Sequence, residues 1–242
     1  MAEIFASQWE NAAGVQDGEW DTEVGADDLT VSNAQALEDT NSLKVLQAWT
    51  AHHIGENVSV DGKTTLGIRF GIYVDAFSNF QYIFYLSDTI AAGIFMSLTI
   101  DNASMFLECS DSDEVMQQIG NDYAYALDTW YQVEILWVDD TSIKWKIWNA
   151  AGDGLVLAEQ SSADVTDKVN TAGLDVQVGN LRPRGAGTII YVDSFVIDDA
   201  GYPGPYTPSA GGPTAKAVAG SLAVTGALAR KLMAKRTVAG VL

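Results

Sequence analysis

Between Ser42 and Asp198 the chain is a succession of short runs rich in β-branched and aromatic residues, and that pattern restricts it to a β architecture. The runs are SLKVLQAW (42–49), TLGIRFGIYVDA (65–76), FQYIFYLS (80–87), GIFMSLTID (93–101), WYQVEILWVDD (130–140), SIKWKIWNA (142–150), LDVQVGN (174–180) and GTIIYVDSFVID (187–198). Several alternate with period two: in SIKWKIWN, Ile143, Trp145 and Ile147 share one face while Lys144, Lys146 and Trp148 share the other. VDDTS and NAAGDGL read as tight hairpin turns between such runs. Up to residue 200 no long helical period with caps occurs, and SDEVMQQI (112–119) is the best candidate for a helical turn or two. So many strands at short intervals predict an all-β, two-sheet antiparallel sandwich of jelly-roll type. A chain of 242 residues, 48% hydrophobic, has ample material for its core.

The organisation changes after residue 200. GYPGPYTPSAGGP (201–213) holds four of the five prolines and reads as an extended linker. Residues 1–210 carry 8 Lys and Arg against all 32 Asp and Glu, a balance of −24. Residues 211–242 carry Lys216, Arg230, Lys231, Lys235 and Arg236 with no acid, a balance of +5. The domain reading is therefore a sandwich over 1–200, a linker over 201–213 and a basic, small-residue arm over 214–242. The acidic body is expected to repel nucleic acid and anionic membranes, whereas the arm suits an acidic surface, including a neighbouring copy of the body. KAVAGSL (216–222) and RTVAGVL (236–242) repeat across the arm. It reads as alternating strand, or as helix over ALARKLMAKR with Leu228 and Leu232 on one face; Gly220, Gly226 and Gly240 favour an extended form. Such a segment is too short to form a core alone, so Val218, Leu222, Leu228, Arg230, Lys231, Leu232, Lys235, Arg236, Val238 and Leu242 are its candidate assembly contacts.

No apolar run reaches the length of a membrane span, and MAEIFASQWENAAG lacks a basic patch followed by an apolar stretch, so no signal peptide is expected. The one cysteine, Cys109 in FLECSDSD, has no nearby His or cation to lower its pKa and is expected in the core.

Candidate chemistry is sparse. In GEWDTEV, Glu19, Asp21 and Glu23 alternate, so a strand would project all three carboxylates from one face. A retaining glycosidase needs two carboxyls about 5–5.5 Å apart, and residues four apart on a flat strand are separated by roughly 13 Å, so an exposed acidic strand is the expectation and catalysis is not. His52 and His53 in AHHIGEN, followed by Glu56, would point to opposite faces of a strand and chelate poorly together; a polar loop is expected. Asp111, Asp113, Glu114, Asp139 and Asp140 lie in acidic turns that could hold a structural calcium ion, although no EF-hand pattern accompanies them; no other cofactor is implied. Of the seven tryptophans, Trp137, Trp145 and Trp148 fall on adjacent strands, and Trp148, out of phase with Ile143 and Ile147, is the candidate for stacking on a sugar ring.

In order along the chain, IFASQWENAAGVQDGEWDTEV, SLKVLQAW, LGIRFGIYVDAF, TWYQVEILWVDD and IIYVDSFVIDDAG resemble the strands of concanavalin A-like lectin/glucanase jelly rolls, particularly laminin G-like domains of bacterial and phage proteins. The resemblance spans roughly residues 1–200. It implies a non-catalytic member, because the glycosidases of this fold carry their E-x-D-x-E strand deep in the domain, and it implies that calcium binding occurs among relatives. The arm separately resembles repeats at the ends of phage and prophage structural proteins. Together these imply a virion structural protein, a capsid decoration or a tail or fibre component, made in the host cytoplasm. Its partners would be other virion proteins, copies of itself and host-surface glycans. The alternative is a carbohydrate-binding module or glycoside hydrolase acting on microbial polysaccharide.

Overall fold

A computed structural model describes residues 3–7, 9, 20–24, 29–47, 51–58, 63–88, 94–110, 115–138, 141–163, 174–181 and 187–207. Glu19, Asp111, Asp113, Glu114, Asp139, Asp140, the second half of the linker and the whole arm over 214–242 lie outside these residues. Among the described residues sixteen strands succeed one another with no helix between them. They are β1 (Glu3–Ser7), β2 (Thr22–Val24), β3 (Leu29–Ser32), β4 (Ser42–Leu46), β5 (His52–Val58), β6 (Thr65–Ala76), β7 (Gln81–Asp88) and β8 (Ile94–Asp101). Then come β9 (Ser104–Ser110), β10 (Met116–Gln118), β11 (Tyr123–Ala124), β12 (Trp130–Val138), β13 (Ser142–Asn149), β14 (Leu155–Ser162), β15 (Leu174–Asn180) and β16 (Ile189–Asp198).

They form two eight-stranded antiparallel sheets packed as a jelly-roll sandwich. Sheet A runs β14–β13–β12–β6–β16–β4–β3, and sheet B runs β10–β9–β8–β7–β15–β5–β2 with β11 beside β9. β16 shares one edge between two partners: β4 pairs with Ile189–Val192 and β1 with Phe195–Asp198. The division falls at Ser194, whose φ of 53° marks the irregularity in the β16–β6 register.

Two expectations are corrected. Met116–Gln118, within the segment expected to turn helically, is an edge strand paired to Ser110–Glu108. Glu108 and Cys109 thereby gain a cross-strand neighbour, and tertiary pairing overrides a weak local helical preference. His52 and His53 open strand β5 rather than sitting in a loop, because Asn180 and Gly179 of β15 pair with them.

Period-two alternation fills the core. Leu66, Ile68, Phe70 and Ile72 of β6 face inward with Val133, Ile135 and Trp137 of β12, and Ile143, Trp145 and Ile147 of β13. Sheet B contributes Ile83, Phe84, Leu86, Leu98, Ile100, Leu107, Val176 and Val178, with Cys109 buried among them. Phe195 joins the layers: its ring stacks on Phe70 at 5.7 Å and meets Phe84 at 6.3 Å and Trp20 at 5.4 Å. Trp145 satisfies its buried indole N–H on the Ile119 carbonyl at 2.8 Å, as a core tryptophan must.

Candidate functional site

Strand phase determines what each sheet turns away from the core. On sheet A the outward residues of β12 are Gln132 and Glu134, yet neither has solvent exposure. Residues 201–207, the proline- and glycine-rich stretch, lie across them. The Gln132 amide imitates a strand partner: its Oε1 accepts the Tyr206 N–H at 2.6 Å while its Nε2 donates to the Tyr206 carbonyl at 2.7 Å. Arg69, outward on β6, donates from Nη1 to the Gly204 carbonyl at 3.0 Å and from Nη2 to Ser194 Oγ at 3.1 Å. The approach is so close that a Cβ on Gly67 would fall 1.6 Å from the Gly201 carbonyl oxygen, and one on Gly152 would fall 2.4 Å from that of Tyr206. Gly152 also has a φ of 70°, so the β13–β14 turn needs glycine twice over.

Trp148 belongs to this covered surface. It faces outward, as its phase requires, and is half-buried. Its indole N–H donates to Glu134 Oε2 at 2.6 Å. Lys146 Nζ lies 3.2 Å from the same oxygen, 5.3 Å from the Trp148 ring centroid and 3.7 Å from that of Tyr202. The Tyr202 hydroxyl donates to Glu159 Oε2 at 3.1 Å; burial, then the Glu159 charge, hold this phenol far above its ordinary pKa. Trp137 and Trp145 are core residues.

A second segment, residues 33–41, closes the same face at β16. Asp193 Oδ2 accepts the N–H groups of Leu37 at 2.7 Å and Glu38 at 2.9 Å, and Oδ1 accepts that of Ser194 at 2.7 Å. Burial pushes the Asp193 carboxyl up to about 8, against the pull of these donors.

Sheet B turns a different surface outward. Its registers place Gln177, Tyr85, Ser97, Glu108 and Gln118 in one cross-strand row, and Tyr82, Thr99 and Phe106 in the next. Tyr85, Ser97 and Thr99 are buried, whereas Tyr82, Phe106, Glu108 and Gln177 are half-buried. A buried floor thus lies between partly exposed flanks. Thr99 Oγ1 donates to Glu108 Oε2 at 3.2 Å and Ser97 Oγ to the same oxygen at 3.5 Å. Gln177 Nε2 donates to Asp175 Oδ2 at 2.5 Å. The rings of Phe80, Tyr82 and Tyr85 continue one another at centroid separations of 4.8 and 5.3 Å.

The remaining sequence candidates lie at the β2 edge. Glu23 pairs with Ile54 in the β2–β5 ladder. Asp21 is exposed; its N–H donates to Glu56 Oε2 at 3.1 Å, and its Oδ2 accepts the Asn57 N–H at 3.2 Å. Burial, then the neighbouring Asp21 charge, raise the Glu56 pKa. Desolvation lowers that of His53, favouring the neutral ring. Among the described residues no three His, Cys, Asp or Glu side chains gather as metal ligands.

No protein-family model and no curated protein matches this sequence. Solved structures do match in shape. The botulinum neurotoxin type G receptor binding domain superposes with a TM-score of 0.58 at 12% identity, over 81% of this chain and 47% of that one. The botulinum neurotoxin serotype D binding domain gives 0.57 at 16% identity over the same shares. The serotype D ligand binding domain in complex with N-acetylneuraminic acid gives 0.57 at 15% identity, again over 81% and 47%. The chain therefore spans about half the length of these structures. At such low identity the likeness concerns architecture, and the architecture is the antiparallel two-sheet sandwich that the strand pattern predicts.

Proposed function

We propose that this chain is a non-enzymatic virion structural protein, a capsid decoration or a tail or fibre component, that presents a recognition sandwich and is anchored through residues 214–242. The observation that carries this reading is the path of residues 201–207. They are tied to the outer face of sheet A by Gln132, Arg69 and Lys146, so residues 201–207 lie on the side opposite the outer row of sheet B. A body held by one face and presenting the other is the geometry of display. The charge balance supports the same division, with a basic arm attached to an acidic body.

Catalysis receives little support from the sheet B face. Glu108 and the Gln177–Asp175 pair are three strands apart, roughly 14 Å at the usual strand spacing. Asp101 lies four residues down the β8–β9 ladder, roughly 13 Å away. Both exceed the carboxyl separations of about 5–9.5 Å that glycoside hydrolysis requires.

The test is the assembly state of the full chain. Light scattering and negative-stain microscopy should show defined multimers or association with particles. Replacing Lys216, Arg230, Lys231, Lys235 and Arg236 together by serine should abolish that association. A wild-type chain that remains monomeric and ignores particles contradicts the reading.

The second reading, a carbohydrate-binding module or glycoside hydrolase working alone, draws on the receptor-binding domains that share the fold, one of them solved with N-acetylneuraminic acid. Its enzymatic form predicts hydrolysis of a polysaccharide, abolished by Glu19→Gln or Glu23→Gln.

A further inference from the structure

On one side of the sandwich both sheets end together, sheet A on β14 and sheet B on β10. Gln160 Oε1 of β14 joins the two ends by accepting the N–H of Asn121, just beyond β10, at 3.1 Å. Among the described residues β14 pairs only with β13, so its other edge is open. Exposed apolar side chains gather here: Leu155 is 49% exposed, Val156 39% and Val115, next to β10, 52%. We infer that the β14 edge is the docking surface for residues 216–222 of a second copy, which add a strand antiparallel to it. This inference rests on the anchoring role proposed above and names the surface that the arm takes.

The polarity of the two segments carries it. β14 runs from apolar to polar: Leu155, Val156 and Leu157 lead, and Glu159, Gln160, Ser161 and Ser162 follow. The arm's repeat runs the other way, from Lys216 to Leu222, and RTVAGVL keeps the same order from Arg236 to Leu242. In each repeat the cation, valine, glycine and leucine stand two residues apart, so an extended strand places them on one face. Antiparallel alignment brings Leu222 to Leu155 and Val156 and Lys216 toward Glu159; parallel alignment sets the cation on the apolar end. Glu159 is the only charged residue of β14, and its side chain stays 43% exposed beside Lys144. Three more acids, Asp111, Asp113 and Glu114, precede Val115 in the sequence, so a basic strand suits this side.

The direction also identifies the source of the strand. The described chain ends at Thr207, one residue past Tyr206, whose carbonyl lies against Gly152 in the β13–β14 turn. A repeat continuing from there would meet β14 at its Leu155 end and run parallel to it. Parallel pairing is the weaker kind, and every described strand pair is antiparallel. The arm of a second copy can enter from the Ser162 end and pair in the matching sense. The two register shifts of β14 against β13 discourage pairing with an arbitrary strand. Ala217, Ala219 and Gly220 keep the arm small enough to follow such a twisted edge.

The experiment uses the full chain. Light scattering should show wild type as multimers, and Leu155→Asp combined with Val156→Asp should weaken association at least tenfold. Val24→Asp, similarly exposed on β2 at the opposite side of the sandwich, should leave it unchanged. Thermal melts check that these variants keep the fold. Disulfide trapping then reads position, since the native Cys109 is buried. A chain carrying Val156→Cys is co-expressed with a differently tagged chain carrying either Leu222→Cys or Lys216→Cys. Leu222→Cys should give a mixed covalent dimer and Lys216→Cys should not. Three results overturn the surface and leave anchoring by the arm standing: multimers indifferent to the Leu155 and Val156 substitutions, trapping through Lys216→Cys instead, or a disulfide that forms only within one chain carrying both cysteines. A wild type that is monomeric yet co-sediments with particles does the same. A wild type that neither associates nor co-sediments overturns the anchoring role as well.

Discussion

The two outward faces of this sandwich are built from the same alternation but put to opposite uses. On sheet A the polar outward residues are consumed internally: Gln132, Glu134, Arg69, Lys146 and Asp193 all bind backbone or side chains of residues 33–41 and 201–207 or of neighbouring strands. On sheet B the outward residues bind one another, Ser97 and Thr99 to Glu108 across strands and Gln177 to Asp175 along β15, and Tyr82, Phe106, Glu108 and Gln177 keep partial exposure. The lesson is that an outward polar side chain does not identify a binding face. What matters is whether its hydrogen-bonding capacity is already used by the chain's own connecting segments.

The contrast can be broken most forcefully at Lys146. Lys146→Ala leaves Glu134, which has no solvent exposure, without its cation, and should cost about 3–5 kcal/mol in denaturant unfolding. The equivalent charge removal on sheet B, Glu108→Gln, keeps an oxygen for the Ser97 and Thr99 hydroxyls and should cost under about 1.5 kcal/mol. Equal losses at the two positions would erase the distinction.

Asp193 sharpens it through pH. Its carboxyl is pushed from 3.8 to about 8 by burial, so the folded chain holds a proton there that the unfolded chain releases. Between pH about 4 and about 8 the native state binds more protons at this site, and its contribution to stability falls as pH rises. Asp193→Asn should flatten that slope in unfolding curves recorded across the window.

Smaller effects follow. Gln132→Ala strands the Tyr206 N–H and carbonyl and should cost about 1–3 kcal/mol, with faster proteolysis at residues 201–207. Tyr202→Phe removes a bond to the exposed Glu159 and should cost under about 1 kcal/mol.

The strands were the legible part. TLGIRFGIYVDA and LDVQVGN coincide with β6 and β15 residue for residue, because inward β-branched and aromatic positions mark both faces of a buried strand. The outward phase of Trp148 was legible for the same reason. β9 and β14 are harder to read. SMFLECS places Glu108 and two serines among its apolar residues, and LVLAEQSS is an edge strand whose two register shifts against β13 break period two. β5 hides behind its paired histidines and Gly55, which gain strand geometry from β15 on one edge and β2 on the other.

The site was scarcely legible. Glu108, Ser97, Tyr85 and Gln177 are spread over about 90 residues and meet only through register, which a single strand's pattern does not specify. Residues 201–207, which the sequence reads as part of an extended linker, contain no strand. Their adhesion to sheet A depends on Arg69, Gln132 and Lys146, whose roles are invisible until the sheet is assembled.

Hydrogen exchange at the Tyr206 amide in the full-length protein tests the division of the two faces most directly. Held by Gln132, this N–H should exchange far more slowly than a free chain, and Gln132→Ala should release it. Exchange at the free-chain rate in wild type would mean that the segment does not lie on sheet A, and the assignment of one face to anchoring and the other to recognition would be contradicted.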